Sequence, residues 1–261
     1  MGVKIIYQTA RENLKAALAL SLLFMLVAVV YAAIFPTFKD YMEEIMVDSP
    51  QMPIRGYEST ATYPGFLNVE LYQIFWVLFL AIAFGYIAGS LVSKEVESGT
   101  MDMLLSNPVP RYRIVLDKFL GLVPMTLAVN LSTLVAIVAV TAGIGEELAF
   151  GDLLLTHIIS IPYFLAVLAI GILASTIIDE KMRASILVIA IVMGSYILKT
   201  ISLLTPDYED LGLITLTHYF DPAESLLEGN VNVLGVVVLM AVSVGCLLAA
   251  IWHFDKRDIR I

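Results

Sequence analysis

The histidines are the residues of this sequence best suited to metal binding or acid–base catalysis, and their spacing argues against both. His157, His218 and His253 are far apart in the chain, and no pair has the short spacing of zinc ligands. The sequence also lacks a phosphate-binding loop of the form Gly-x-x-x-x-Gly-Lys-Ser/Thr. We therefore predict a non-catalytic chain with no metal or cofactor of its own, in which these histidines are interfacial or packing residues.

Polar side chains also occur inside an apolar stretch of the sequence. Thr126, Asn130 and Thr133 lie at helical spacing within a predominantly apolar run that also contains Ser132. An asparagine side chain in hydrocarbon needs a hydrogen-bonding partner, which a neighbouring helix or a water-lined pathway can provide. The sequence leaves both roles open, helix packing and a transport pathway.

The segment 94–118 is the most patterned polar part of the chain. Thr100 can cap a short helix that carries Leu104 and Leu105 and stops at Pro108. A short helix with exposed leucines between two apolar runs is a suitable shape for docking in a groove of a partner protein. We interpret this segment as a connection that binds a partner.

The composition indicates the elements that must position these residues. Hydrophobic residues make up 59% of the chain and charged residues only 15%, well below the share in soluble domains. The apolar residues form blocks of about 20, the length that a helix needs to cross a bilayer. We predict an all-α, polytopic membrane protein with one transmembrane domain over residues 1–261. Its six spans lie near residues 15–35, 71–93, 119–142, 153–177, 184–204 and 231–253.

The basic residues predict the orientation of these spans. Lys and Arg flanking a span are retained on the cytoplasmic side. Twelve of the fifteen basic residues lie on one side of the predicted layout; only Lys39, Arg55 and Lys199 lie on the other. We therefore expect both termini and the 94–118 loop in the cytoplasm, in a multi-pass protein of the plasma membrane. The opposite side is acidic, which fits either a solvated surface or a vestibule that attracts cations.

Two segments outside the spans also have helical patterns. Residues 1–14 alternate apolar and basic positions at helical spacing, which predicts an amphipathic helix on the inner membrane surface, in contact with lipid. Residues 205–230 combine apolar spacing with Pro222. We expect a re-entrant or surface segment on the outer side.

The motifs of the 94–118 loop resemble those of the ABC-2 type permease subunits of ABC transporters, in a branch that includes permeases for multi-copper enzyme maturation and for sodium or drug export. The resemblance rests on three short patterns and extends to the six-span layout. The patterns are Glu95-x-Glu97-x-Gly99-Thr100, Leu104-Leu105-Ser106-x-Pro108 followed by Arg111, and Lys118-Phe119-x-Gly121. Pro110 departs from the family, in which a small polar residue is usual before the arginine.

The resemblance implies a permease that forms a homodimer, or pairs with a similar permease, and acts as an exporter. A separate ATP-binding subunit would bind ATP and Mg, and the loop would couple the two subunits. The residues to which this coupling role is transferred are Glu95, Glu97, Gly99, Thr100, Leu104, Leu105, Pro108 and Arg111. The alternatives are a membrane scaffold or mechanotransmitting assembly factor without transport, and a transporter driven by an ion gradient. No nucleic-acid partner is expected.

Overall fold

The computed structural model describes residues 2–48, 59–101 and 109–256, and the regular structure in these ranges is helical throughout. Two 3₁₀ segments, Pro206–Ile214 and Leu216–His218, precede the short helix α7. The helices are α1 Gly2–Glu12, α2 Leu14–Asp48, α3 Tyr63–Glu97, α4 Arg111–Ile144, α5 Phe150–Ile177, α6 Lys181–Leu204, α7 Pro222–Leu226 and α8 Val233–Lys256.

Six of these helices, α2 to α6 and α8, are long and apolar enough to cross a bilayer. Because a helix bonds its own backbone N–H and C=O groups, each can enter hydrocarbon without unpaired polar groups. The predicted all-α membrane protein with six spans is confirmed. Helices α3 and α5 are the most enclosed of the six, whereas α2, α6 and α8 keep most of their surface outside the bundle.

Helix α3 is not a regular α-helix. It begins as an α-turn over Tyr63–Leu67, where the Thr62 hydroxyl accepts a hydrogen bond from the Gly65 N–H. It then winds as a π-helix over Asn68–Leu80 and returns to α geometry over Ala81–Ser90. Its last turn, Ser93–Glu97, follows a tight turn. Hydropathy alone predicted one uninterrupted helix, because a π-helix needs no distinctive composition.

The core of the bundle is an aromatic cluster around Trp76 of α3. The Trp76 ring meets Phe24 of α2 edge-on at 6.0 Å between centroids and Phe164 of α5 at 5.6 Å. Phe84 makes a further edge contact with Phe164 at 5.1 Å. Edge-to-face contacts of this kind add specificity to the burial of large rings, so they fix how α2, α3 and α5 face one another.

Small residues let α3 approach α5 and α6 closely. A Cβ atom added at Gly171 of α5 would lie 2.5 Å from the Ala88 Cβ, and one added at Gly89 would lie 2.9 Å from the Ser185 Cα. At Gly85 it would lie 2.8 Å from Val188. The spacing Gly85-x-x-x-Gly89 therefore serves the close helix packing that this motif provides in membranes.

Helix α1 packs against the first half of α4. Thr9 is buried, and a Cβ added at Gly121 would lie 2.5 Å from the Thr9 Cβ. The basic residues Lys4 and Arg11 remain exposed on the other face of α1. The amphipathic pattern of the sequence thus places one face on the bundle and a basic face outside it.

The segment that follows α6 packs over the ends of α3 and α5. The Phe220 ring stacks on Tyr163 at 5.4 Å, and the hydroxyls of Ser225 and Thr156 are 2.8 Å apart. The Lys199 ammonium of α6 lies 3.5 Å from Nδ1 of His218, which belongs to this segment. Burial and the Lys199 ammonium lower the pKa of His218, while Asp221 acts in the opposite direction.

The close approach at Gly89 predicts a position-specific effect of a larger side chain. In Gly89→Leu the new side chain meets the α6 backbone, which cannot rotate away, so α3 and α6 must separate. We expect a loss of stability of about 2 kcal/mol, the usual cost of overpacking, measured by reversible unfolding in mixed micelles. The matched control is Gly194→Leu, since nothing lies within 4 Å of a Cβ built at Gly194. Equal losses in both variants would contradict the packing.

Candidate functional site

Gly99 ends α3 and shapes the start of the 94–118 loop. Its φ of 69° lies in the left-handed region, which glycine adopts without a steric penalty. The Thr100 N–H donates to the Glu95 carbonyl at 3.0 Å and the Gly99 N–H to the Val96 carbonyl at 3.1 Å. This pair of bonds is a Schellman motif. Ser98, Gly99 and Thr100 are exposed, so they project from the bundle.

Glu97 binds the first residue of α6. Its carboxylate accepts a hydrogen bond of 2.9 Å from the backbone N–H of Lys181. The N-cap residue of α6, Glu180, makes no capping bond with its own side chain. The first N–H groups of a helix lack partners within the helix and attract negative charge. Glu97 therefore acts as the cap of α6 from a different part of the chain.

Glu95 pairs with Lys118 of α4. The ammonium and carboxylate are in direct contact at 2.5 Å, and the Lys118 side chain is only 3% exposed. Lys118 also lies 3.5 Å from the Leu91 carbonyl. Lys118 was not among the predicted site residues, although it belongs to the motif Lys118-Phe119-x-Gly121 that supported the resemblance. Its place in that motif is the signal that could have identified it.

Arg111 contacts the last turn of α8. Its guanidinium donates to the carbonyls of Phe254 at 3.3 Å and Asp255 at 3.4 Å. Carbonyls at a helix C-terminus lack partners within the helix, and a cation is favourable there. Pro110, the residue that departs from the family pattern, is the extended residue directly before α4.

Ser175 near the end of α5 completes this arrangement. Its hydroxyl oxygen accepts from the backbone N–H groups of Val92 at 2.7 Å and Ser93 at 2.9 Å. The last turns of α3 are thus joined to α4, α5 and α6, and the start of α4 is joined to the end of α8. We refer to the side chains responsible as the helix-end cluster. Its members are Glu95, Glu97, Arg111, Lys118 and Ser175.

The predicted site residues Leu104, Leu105 and Pro108 lie at residues 102–108, outside the described residues, as does most of the helix expected after Thr100. Thr100 itself closes the end of α3: its hydroxyl lies 3.4 Å from the Glu95 carbonyl and 2.9 Å from the Ser98 hydroxyl. Of the eight residues carried over from the resemblance, Glu97 and Arg111 bind the ends of other helices and Glu95 pairs with the Lys118 side chain. Gly99 and Thr100 form the exposed turn.

Asn130 belongs to a hydrogen-bonded network inside the bundle. Its amide nitrogen donates to the Thr126 carbonyl at 3.1 Å, which leaves its oxygen as an acceptor. That oxygen accepts from the Ser160 hydroxyl at 3.0 Å and lies 3.2 Å from Nδ1 of His157. His157 must therefore carry its proton on Nδ1. Nε2 is then the acceptor of the Tyr72 hydroxyl, 2.9 Å away.

This network joins α3, α4 and α5 and favours a packing role for Asn130. His157 is buried, so of the two roles that the sequence left open for it, interfacial and packing, the structure favours packing. Thr133, one turn from Asn130, is fully buried and its hydroxyl has no hydrogen-bond partner among the described residues. No group of three His, Cys, Asp or Glu side chains that could hold a metal ion occurs anywhere in the described part of the chain.

The buried pair predicts a non-additive effect of two substitutions. Lys118→Met removes the ammonium and leaves the Glu95 carboxylate uncompensated, so we expect a loss of about 3 kcal/mol of unfolding free energy. The double variant Lys118→Met with Glu95→Gln removes both charges and should recover most of that loss. Thermal unfolding in detergent of the wild type, both single variants and the double variant measures the coupling. Additive losses would show that the two side chains do not interact.

A comparison with known protein families identifies the family of this chain. The model of the family described as ABC-2 family transporter protein matches residues 3–259, nearly the whole chain. No curated protein matches the sequence. The six apolar helices and the family match together describe a multi-pass membrane protein and the membrane component of an ABC transporter. This chain belongs to the ABC-2 family of transporter proteins.

Proposed function

We propose that this permease is an exporter driven by a separate ATP-binding subunit, which docks on the 94–118 loop. The sequence has no phosphate-binding loop of its own, so ATP and Mg would be bound by that subunit. The observation that carries the proposal is the helix-end cluster, because it connects one exposed loop to four spans.

The contacts of the cluster provide a route for motion. A force on Ser98–Thr100 acts on the end of α3, which Glu97 bonds to α6 and Glu95 bonds to α4. Arg111, at the other end of the loop, bonds to α8. An ATP-binding subunit that displaces the loop would therefore displace α4, α6 and α8 together. Packed helices respond to such a load as discrete units rather than by continuous deformation.

The same proposal places the loop and both termini in the cytoplasm of a plasma-membrane protein. The distribution of Lys and Arg supports this orientation, and docking of an ATP-binding subunit requires it. We further propose that two copies assemble, with the cargo pathway between them. The apolar surfaces of α2, α6 and α8 outside the bundle provide area for lipid and for a second copy.

Removal of the Glu97 side chain should weaken coupling without unfolding the chain. Glu97 is exposed, so Glu97→Ala mainly breaks the bond to α6. Purification through this chain, co-expressed with its ATP-binding subunit, should recover both proteins in equal numbers. We expect the ATPase activity of the Glu97→Ala complex to be several-fold lower than that of the wild type, measured as phosphate release at saturating ATP.

The matched control is Glu180→Ala. Glu180 also lies at the start of α6, but in the described part of the chain its carboxylate pairs locally, with Arg183 at 2.8 Å. This control should retain wild-type activity, so a loss confined to Glu97→Ala identifies the loop contact rather than the charge. Equal activity of the Glu97→Ala complex and the wild type would refute transmission through α6. A wild-type chain that purifies without an ATP-binding subunit would refute the whole proposal.

A further inference from the structure

Glu70 is an acidic residue near the start of a membrane-spanning helix, and its carboxylate has no bonding partner among the described residues. It is the eighth residue of α3 and is partly buried. In the part of the chain that the structure describes, no hydrogen bond or ion pair reaches its carboxylate. Acidic residues in membrane-spanning helices are rare and usually face a partner, a ligand or a pathway.

The π-helical winding of α3 sets which residues share a face with Glu70. In an α-helix of 3.6 residues per turn, Phe75 and Phe79 would lie about 140° and about 180° around the axis from Glu70. A π-helix, with its i→i+5 hydrogen bonds, has about 4.4 residues per turn, and the same angles become about 50° and about 15°. Only the π winding places the carboxylate and both rings on one side of α3.

The rings on this side form a continuous aromatic surface. Phe75 lies 5.4 Å from Phe79 and 5.5 Å from Tyr31 of α2, between ring centroids. Phe79 is half exposed, and Tyr31 belongs to the same surface through its ring contact with Phe75. We call this surface, made of Glu70, Tyr31, Phe75 and Phe79, the α3 aromatic face. Its partly exposed aliphatic neighbours are Ile74 and Leu78.

The chemistry of the α3 aromatic face selects a ligand class. Aromatic faces attract cations through their ring quadrupoles and are a common means of binding quaternary ammonium groups. Among the described residues, Glu70 belongs to no group of three potential metal ligands. A metal ion needs several oxygen ligands, so a single carboxylate suits an organic cation better. The adjoining apolar surface favours a ligand that also has an apolar part.

We infer that the α3 aromatic face binds an amphiphilic organic cation, and that such cations are the cargo class of this permease. The binding part of the inference rests on Glu70 and the three rings. The statement that the cation is cargo rests in addition on the proposed transport function. Glu70 neutralises the charged group, and the rings and the neighbouring aliphatic side chains hold the apolar part.

Binding of tetraphenylphosphonium to the purified full-length chain in maltoside micelles tests the inference. The near-isosteric anion tetraphenylborate separates charge recognition from hydrophobic partition, and empty micelles provide the background. We expect saturable binding of the phosphonium only. Glu70→Gln should weaken it about tenfold, equivalent to about 1.4 kcal/mol, and Phe79→Leu should weaken it less. The matched control, Glu147→Gln, alters an exposed carboxylate in the α4–α5 connection and should leave binding unchanged.

Three outcomes would overturn the inference. The first is equal binding of tetraphenylborate and tetraphenylphosphonium. The second is an unchanged affinity for tetraphenylphosphonium in Glu70→Gln. The third is no saturable binding, because lipid or a second copy covers the α3 aromatic face. Displacement of the phosphonium by phosphatidylethanolamine but not by phosphatidylglycerol would identify a lipid headgroup site and remove the cargo assignment.

The cargo statement has its own readout. In the complex with the ATP-binding subunit, the phosphonium should stimulate ATP hydrolysis in the wild type and much less in Glu70→Gln at the same concentration. Equal stimulation in both would overturn the cargo assignment. The binding measurement needs no ATP-binding subunit, so its failure is distinguishable from failure of the Glu97→Ala experiment.

Discussion

The absence of water in the bilayer is the constraint on which this structure depends. Every backbone N–H and C=O within the hydrocarbon must find its partner in the protein, which makes the spans helical. The same constraint acts on side chains. Buried polar groups satisfy it with a chain of hydrogen bonds in which the Asn130 amide fixes the tautomer of His157. The groups belong to Thr126, Asn130, His157, Ser160 and Tyr72. The bonds between α3, α4 and α5 follow from the need to satisfy these groups.

The π winding of Asn68–Leu80 gives α3 two different faces. Tyr72 and Trp76 point to the core, where they meet His157 and the aromatic cluster. Glu70, Phe75 and Phe79 lie together on the other side. A π-helical segment is less stable than an α-helix and is often retained at functional sites. In α3 the π winding lets Tyr72 bond to His157 inside the bundle while Glu70, Phe75 and Phe79 share the opposite side of the helix.

The sequence predicted the elements well because span length and apolar composition follow directly from bilayer thickness. The spacing Gly85-x-x-x-Gly89 is likewise a local pattern, and it is typical of close helix packing in membranes. The sequence did not reveal the π-helix, since its winding depends on tertiary contacts. Nor did it predict that Glu97 caps α6 or that Lys118 pairs with Glu95, because these partners are 84 and 23 residues apart. The sequence also left the role of His157 open between interfacial and packing, because its partners, Tyr72 and Asn130, lie on other helices.

The account centres on a mechanical link between the loop and α6, and one reversible measurement tests it. The chain carries Cys246→Ser together with Glu97→Cys and Lys181→Cys. The Glu97→Cys change removes the carboxylate that accepts from the Lys181 N–H. The two new thiols can then be joined by a short reducible cross-linker. ATP hydrolysis by the complex with the ATP-binding subunit is measured before cross-linking, after it and after reduction. The account predicts low activity with free thiols, recovery when they are joined and loss again on reduction. Activity that is unaffected or abolished by the cross-link would contradict it.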